Sequence, residues 1–244
     1  MSEPAYLEGA PLQPGGKAAP TTLLFDTFGT TADWKSSLVE HCAAIAAAAG
    51  LRADWPAFVT EWRSLYQPAI APVRDGQRLW ADFDELHRET LDTLLPKYAL
   101  NTLSDADRDH MVYGWHLLHG WPDTVQGLTR LRQRHILGAL SNGTTRQLVD
   151  MAKRSAFPWD VIFGADQWQT YKPAPALYLG ALKLLKAPAS SVVMVAAHNN
   201  DLQAAQNHGL QTAFIHRPTE DPAPTARYTY IATDFNDLAT QLGC

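Results

Sequence analysis

From residue 21 onward the chain is punctuated by short apolar runs that stop at polar, turn-forming residues. Thr21-Thr22-Leu23-Leu24-Phe25 runs into Asp26-Thr27-Phe28-Gly29-Thr30, and similar runs occupy residues 136–140, 161–163, 192–196 and 212–215. Their length and unbroken apolar character fit parallel strands buried on both faces. Between them, residues 124–134, 145–153, 174–186 and 200–208 carry helical spacing, with Gly209 placed to cap the last. This alternation predicts an α/β protein built on a doubly wound sheet. In such sheets ligands bind beyond the carboxyl ends of the strands, where Asp26, Ser141 with Asn142, and residues 197–201 all fall.

Residues 34–121 interrupt the alternation. Helical patterning covers 36–49, 55–67, 77–95 and 104–119, separated by Gly50, by Pro68 to Pro72 and by residues 96–103. This predicts a helical subdomain inserted into a sheet domain of residues 21–33 and 122–244, with residues 1–20 as a loose N-terminal tail. Trp34, Trp55, Trp62, Trp80, Trp115 and Trp121 belong to the insertion or its edges. Large aromatics chiefly pack cores, and a lid rich in them would also keep a small pocket dry.

Composition narrows the field. The 244 residues are 46% hydrophobic, ample for a real core, and 20 basic against 25 acidic side chains leave no electrostatic footprint for nucleic acid. Cys42 and Cys244 form no disulfide framework or zinc pattern, so a reducing, cytoplasmic location is expected. No apolar run approaches the roughly 18 residues of a membrane span, so no membrane partner is expected. There is no P-loop, dinucleotide fingerprint or His-Glu-x-x-His pattern. His116 and His119, three apart on one expected helix, lack a third ligand and read as partly buried helix residues. Asp82, Asp84, Glu85, Arg88 and Glu89 read as a solvated face, and residues 217–226 as a proline-containing loop.

Asp26 stands at the mouth of the first strand with Gly29 and Thr30 behind it, where backbone N–H groups can surround an anion and a carboxylate can act as nucleophile. Together with Leu140-Ser141-Asn142-Gly143, Tyr171-Lys172-Pro173-Ala174-Pro175-Ala176-Leu177-Tyr178 and Val195-Ala196-Ala197-His198-Asn199-Asn200-Asp201-Leu202, the segment at 25–34 resembles the four ordered motifs of the haloacid dehalogenase superfamily. The resemblance runs from about residue 21 to 243 and implies a Rossmann-like core with a helical cap inserted after the first motif. Most members are magnesium phosphatases, which place a second Asp two positions after the nucleophile and a pair of acids in the fourth motif. Here those places hold Phe28 and Ala197, so the chain looks like a type II 2-haloacid dehalogenase instead. Trp62-Arg63-Ser64-Leu65-Tyr66-Gln67-Pro68 and Leu86-His87-Arg88 resemble that branch.

What the resemblance implies is hydrolysis of short 2-haloacids, haloacetates and L-2-halopropionates, to 2-hydroxyacids through an ester on Asp26, with no metal and no other cofactor. Lys172 would keep Asp26 ionised, and Asp201 would orient or deprotonate the water. Ser141 and the amides near Phe28 and Asn142 would hold the substrate carboxylate, and Arg63 with Asn142 would cradle the halide. Thr30 and Tyr178 would support Asp26 and the pocket. Where many members carry Ser and Asn, this chain has Ala196 and His198, a pattern similar to members that act on fluoroacetate. His198 either acts on the water or narrows the pocket, and cleavage of carbon–fluorine bonds is expected. The family also implies a homodimer. Two alternatives are a magnesium-dependent phosphatase of the same superfamily and a catalytically silent binding protein.

Overall fold

The computed structural model describes residues 19–244, so most of the expected tail lies outside the described residues. The expected tail boundary at residue 20 needs correction. Pro20 is buried and its carbonyl accepts a hydrogen bond from His135 Nδ1 at 3.1 Å, which ties it to the sheet domain.

The first strand, β1 (Thr22–Phe25), leads through the short β2 (Ala32–Asp33) into five helices: α1 (Trp34–Ala48), α2 (Trp55–Ser64), α3 (Tyr66–Arg74), α4 (Phe83–Leu94) and α5 (Asp105–Tyr113). The chain returns through β3 (His119–Gly120), antiparallel to β2. Trp121 Nε1 donates to the Gly29 carbonyl at 2.9 Å, and the Thr124 hydroxyl to that of Thr31 at 2.9 Å. Exit and return of the helical layer are thus pinned beside the turn that follows Asp26. Then come α6 (Thr124–Leu131), β4 (Ile136–Ser141), α7 (Thr145–Ser155), β5 (Val161–Gly164), α8 (Pro175–Leu185), β6 (Val192–Ala196), α9 (Asn199–Asn207), β7 (Gln211–Ile215), β8 (Tyr230–Ala232) and α10 (Phe235–Gln241).

Six strands make one parallel sheet in the order β5-β4-β1-β6-β7-β8, flanked by helices. It is a Rossmann-like α/β core. Phe25 pairs in register with Ala139 on one side and Val195 on the other, so Asp26 emerges level with Leu140 and Ala196, with Ser141 and Ala197 one residue further along. Leu23, Leu24 and Phe25 have no exposed surface, each contributing about 1.5–3 kcal/mol relative to exposure. No helix of the described residues is long and apolar enough to cross a membrane.

Local chemistry explains where the elements depart from expectation. The helix expected over 55–67 divides at Leu65, and α3 runs through the supposed break at Pro68 to Pro72. Pro68 sits in the first turn, where a missing N–H costs nothing. The helix expected from residue 77 starts only at Phe83, because Asp82 and Glu85 form a reciprocal cap there. That removes Asp82 from the supposed solvated face. Asp84 stays partly exposed on that face and also bonds His116 at 2.9 Å. His116 and His119 do not share a helix: residues 114–116 form a tight 3-10 turn, with His116 buried and His119 exposed on β3.

The helical layer packs an aromatic cluster against the site. Phe28 stacks on Phe83 at 4.9 Å and meets Trp115 edge-on at 5.9 Å, while Trp62 and Trp115 have no exposed surface.

Candidate active site

Asp26 follows β1 directly and is 6% exposed. Its N–H donates to the Val195 carbonyl at 2.9 Å and its carbonyl accepts from the Thr31 hydroxyl at 2.7 Å, so the residue is fixed before its side chain makes any contact. The Thr30 hydroxyl donates to Oδ2 at 2.8 Å. The turn that brings Thr30 back requires Gly29 at φ +85°, where a side chain would be strained.

Lys172 reaches the same point from the loop before α8. Its Nζ donates to Asp26 Oδ1 at 2.9 Å and to Asp201 Oδ2 at 2.5 Å, and its backbone N–H donates to Asn142 Oδ1 at 2.6 Å. Asp201, in the first turn of α9, accepts a second bond from the Tyr178 hydroxyl at 2.6 Å. Removing the ammonium would leave two buried carboxylates facing each other, and breaking such a pair costs about 3–5 kcal/mol.

His198 completes the cluster. Its Nδ1 lies 3.0 Å from Asp26 Oδ2, and its Nε2 lies 2.7 Å from Glu220 Oε2. Glu220 also accepts from Trp34 Nε1 at 2.7 Å.

These contacts divide the charges. Burial alone would raise the Asp26 pKa, but Lys172 and His198 outweigh it and hold the carboxyl far below the usual range. Burial would lower the ammonium of Lys172, and Asp201 and Asp26 more than reverse that. Asp201 moves the other way: burial raises it, and the charge on Asp26 adds to the rise against the pull of Lys172. Asp26 is therefore held ionised, and Asp201 is the more basic of the two carboxylates. Burial would lower His198, but its bonds to Asp26 and Glu220 push it up to about 10.

A cavity of about 70 Å³ opens over this cluster, lined by Asp26, Phe28, Asn142, Lys172, His198 and Asp201 on the sheet side and by Arg63, Tyr66 and Gln67 from the helical layer. The Arg63 guanidinium lies 4.5 Å from the Tyr66 ring centre and 5.5 Å from that of Trp34. Its Nη1 is buried with no hydrogen-bond partner among the described residues, a cationic donor left free for a ligand. Asn142 Nδ2 donates to the Tyr66 hydroxyl at 2.5 Å, which links the two layers.

Three of the expected site residues stand back from the cavity. Thr30, Ser141 and Tyr178 do not line the cavity. The hydroxyls of Thr30 and Tyr178 are spent on Asp26 and Asp201, and Ser141 is wholly buried with Oγ 3.5 Å from the Gly143 N–H. Among the residues that sequence reasoning missed is Glu220, which lies in the loop set aside at residues 217–226. Its position just beyond the carboxyl end of β7 was the available signal.

A model of haloacid dehalogenase-like hydrolases matches residues 20–209, and the chain belongs to that family of hydrolases. Among curated relatives, (S)-2-haloacid dehalogenase 4A of Burkholderia cepacia is 28% identical over 202 residues, covering 82% of this chain and 84% of its own. The crystal structure of a defluorinating L-2-haloacid dehalogenase is 42% identical with a TM-score of 0.90, covering 94% of this chain and 97% of its own. That of another L-2-haloacid dehalogenase is 40% identical with a TM-score of 0.88, covering 92% and 99%.

The site does not fit the magnesium ion that many enzymes of this fold employ. Phe28 and Ala197 offer no side-chain oxygen, and both Asp201 oxygens already accept from Lys172 and Tyr178. Magnesium needs hard oxygen ligands in near-octahedral order, and the side chains at positions 28 and 197 supply none.

Proposed function

We propose that this protein is a hydrolytic dehalogenase of short 2-haloacids, with residues 34–121 as its cap. The observation that carries the reading is one ammonium, Lys172, between an ionised Asp26 and a more basic Asp201, beneath the free guanidinium nitrogen of Arg63. A nucleophile, a base and a cationic donor then face one small cavity.

Asp26 attacks the halogen-bearing carbon. A carbon–oxygen bond forms as the carbon–halogen bond breaks, and the halide leaves with the electron pair toward Arg63. Attack from the rear inverts a chiral carbon. Asp201 then takes a proton from water, whose oxygen adds to the ester carbonyl carbon of Asp26. Collapse breaks the bond between that carbon and the alkyl oxygen, the 2-hydroxyacid leaves with the proton from Asp201, and Asp26 gives its own proton to solvent. Backbone amides near Phe28 and Asn142 hold the substrate carboxylate. Departure of the halide needs no acid, which agrees with Phe28 two residues after the nucleophile.

The small cavity supports haloacetates ahead of longer acids. Fluoroacetate is included on the strength of the similarity to a defluorinating enzyme and the Ala196, His198 pattern. The test is halide release, by ion chromatography, from fluoroacetate, chloroacetate and each enantiomer of 2-chloropropionate with excess chelator present. Release that survives chelator and disappears in Asp26→Asn is expected. Phosphate release from p-nitrophenyl phosphate with magnesium, and no halide release, would overturn the reading in favour of a phosphatase.

A further inference from the structure

Glu220 lies behind the cavity, and no step of the reaction above uses it. It is nevertheless a built feature. Its side chain is only 6% exposed and accepts from Trp34 Nε1 at 2.7 Å, Thr219 Oγ1 at 2.8 Å and His198 Nε2 at 2.7 Å. It rests on the backbone of Gly29, where a Cβ would stand 2.3 Å from the Glu220 carboxyl carbon. The loop is tied down on both sides. Arg217 donates to the Thr30 carbonyl at 2.9 Å and grips Asp123 at 2.7 and 3.0 Å, while Asp221 accepts from the Asn199 N–H at 2.7 Å. A carboxylate is held this deep only where it is paired.

The pair it makes fixes the state of His198. Both ring nitrogens face carboxylate oxygens, which only accept, so both must donate and the ring is an imidazolium. The charged groups around it are Asp26 and Glu220 in contact, Lys172 and Asp201 on the far side of the nucleophile, and Arg63 from the helical layer. On Asp26 the two oxygens differ. Among the described residues Oδ1 has one donor, Lys172, whereas Oδ2 has two, the Thr30 hydroxyl at 2.8 Å and His198 at 3.0 Å.

We propose that Glu220 is a positioning residue that holds His198 as an imidazolium against Asp26 Oδ2, so that His198 and Thr30 receive the negative charge developing there during ester hydrolysis. This rests on the dehalogenase reading. Oδ1, with the single donor, attacks carbon and carries the alkyl group. Oδ2 becomes the ester carbonyl oxygen. When water adds to the carbonyl carbon, its π pair moves onto Oδ2, where two donors already stand at oxyanion distance. Collapse restores the carbonyl as the alkoxide leaves with the proton from Asp201. No oxidant, metal or further reactant is consumed.

The experiment uses the full chain with Glu220→Gln, and Trp34→Phe as a milder variant that removes only one bond to Glu220. Nitrogen-15 NMR of the His198 ring should show an imidazolium beyond about pH 8 in the parent and a lower titration in Glu220→Gln. With chloroacetate, rapid quench should show one equivalent of halide released at the parent rate, followed by turnover slowed about 10²-fold. Intact mass should show the alkyl ester accumulating on Asp26, with Trp34→Phe displaced the same way by less. Unchanged His198 titration and unchanged turnover in Glu220→Gln would overturn the proposal. So would a slowed halide burst with no ester, because the pair would then serve the first step. If the parent releases no halide from any 2-haloacid, the dehalogenase reading fails by itself, and the NMR titration still decides whether Glu220 holds His198 charged.

Discussion

His198 at the carboxyl edge of the sheet and His116 at the seam between the helical layer and the sheet domain are built alike. His198 lies between Asp26 and Glu220, and His116 lies between Asp84 of α4 and Asp150 of α7, at 2.9 Å from each. In both, burial works to lower the pKa and the flanking carboxylates raise it. The difference lies in what surrounds the acceptors. Asp84 is 38% exposed, and Asp150 shares itself with Arg146, so the seam cluster is wet and partly neutralised from outside. The side chains of Asp26 and Glu220 are 9% and 6% exposed, and Asp26 is bonded to Lys172. The same clamp thus fastens two layers in one place and meets the proposed nucleophile in the other. His87 completes the contrast. It stacks on Trp115 at 4.1 Å with neither ring nitrogen hydrogen-bonded among the described residues, and burial holds its pKa well below the ordinary value.

The largest difference should appear when the acceptor is neutralised. Asp26→Asn should reduce halide release by at least about 10⁴-fold, as loss of a nucleophile does, whereas Asp150→Asn should leave kcat unchanged. Steady-state kinetics on both would break the comparison if Asp150→Asn were also inactive.

Replacing the rings comes next. His198→Asn should lower kcat by about 10²-fold and move the fluoroacetate to 2-chloropropionate rate ratio toward the longer acid, because it removes a donor and widens the pocket. His116→Asn should leave that ratio alone. An unchanged ratio in His198→Asn would remove His198 from pocket selection.

Stability against pH sharpens the contrast further. A histidine whose folded pKa is raised stabilises the protein fully below its unfolded value of about 6.5, and that stabilisation is lost as pH rises through the folded value. For His198 the window runs from 6.5 to about 10. For His116 it begins at the same point and closes above its own raised value. Urea unfolding should show His116→Asn less stable than the parent by about 1–3 kcal/mol near pH 6, with the gap shrinking at alkaline pH. A gap that widened with pH would mean that His116 is neutral in the fold.

The smallest effect belongs to the unpartnered ring. His87→Phe should change stability by no more than about 1 kcal/mol, because relief of two unsatisfied nitrogens opposes mild overpacking. A loss of several kcal/mol in the unfolding midpoint analysis would reveal a buried partner for His87.

Much of this molecule was legible in the sequence where the signal is local. Unbroken apolar runs such as Leu23, Leu24 and Phe25 announce strands buried on both faces, and Asp26, Lys172, His198 and Asp201 fall within the segments that sequence reasoning singled out. What stayed hidden depends on distance. β8 has three residues and α10 has seven, too short for a period to show. The seam histidine finds Asp84 and Asp150 at separations of 32 and 34 residues, and Trp34 finds Glu220 at 186. A lone acid in a proline-rich loop carries no mark of such partners. The partner of each hydroxyl was hidden for a related reason, since spacing does not say that Tyr178 donates to Asp201 or Thr30 to Asp26.

The central claim is that Asp26 becomes an ester and that water attacks its carbonyl carbon rather than the substrate. Single turnover in oxygen-18 water with enzyme in excess, followed by mass analysis of product and of the peptide bearing Asp26, tests it directly. The account predicts unlabelled 2-hydroxyacid and heavy oxygen in the Asp26 carboxylate. Heavy oxygen in the product with an unlabelled Asp26 would contradict it and make the carboxylate a base for direct attack by water.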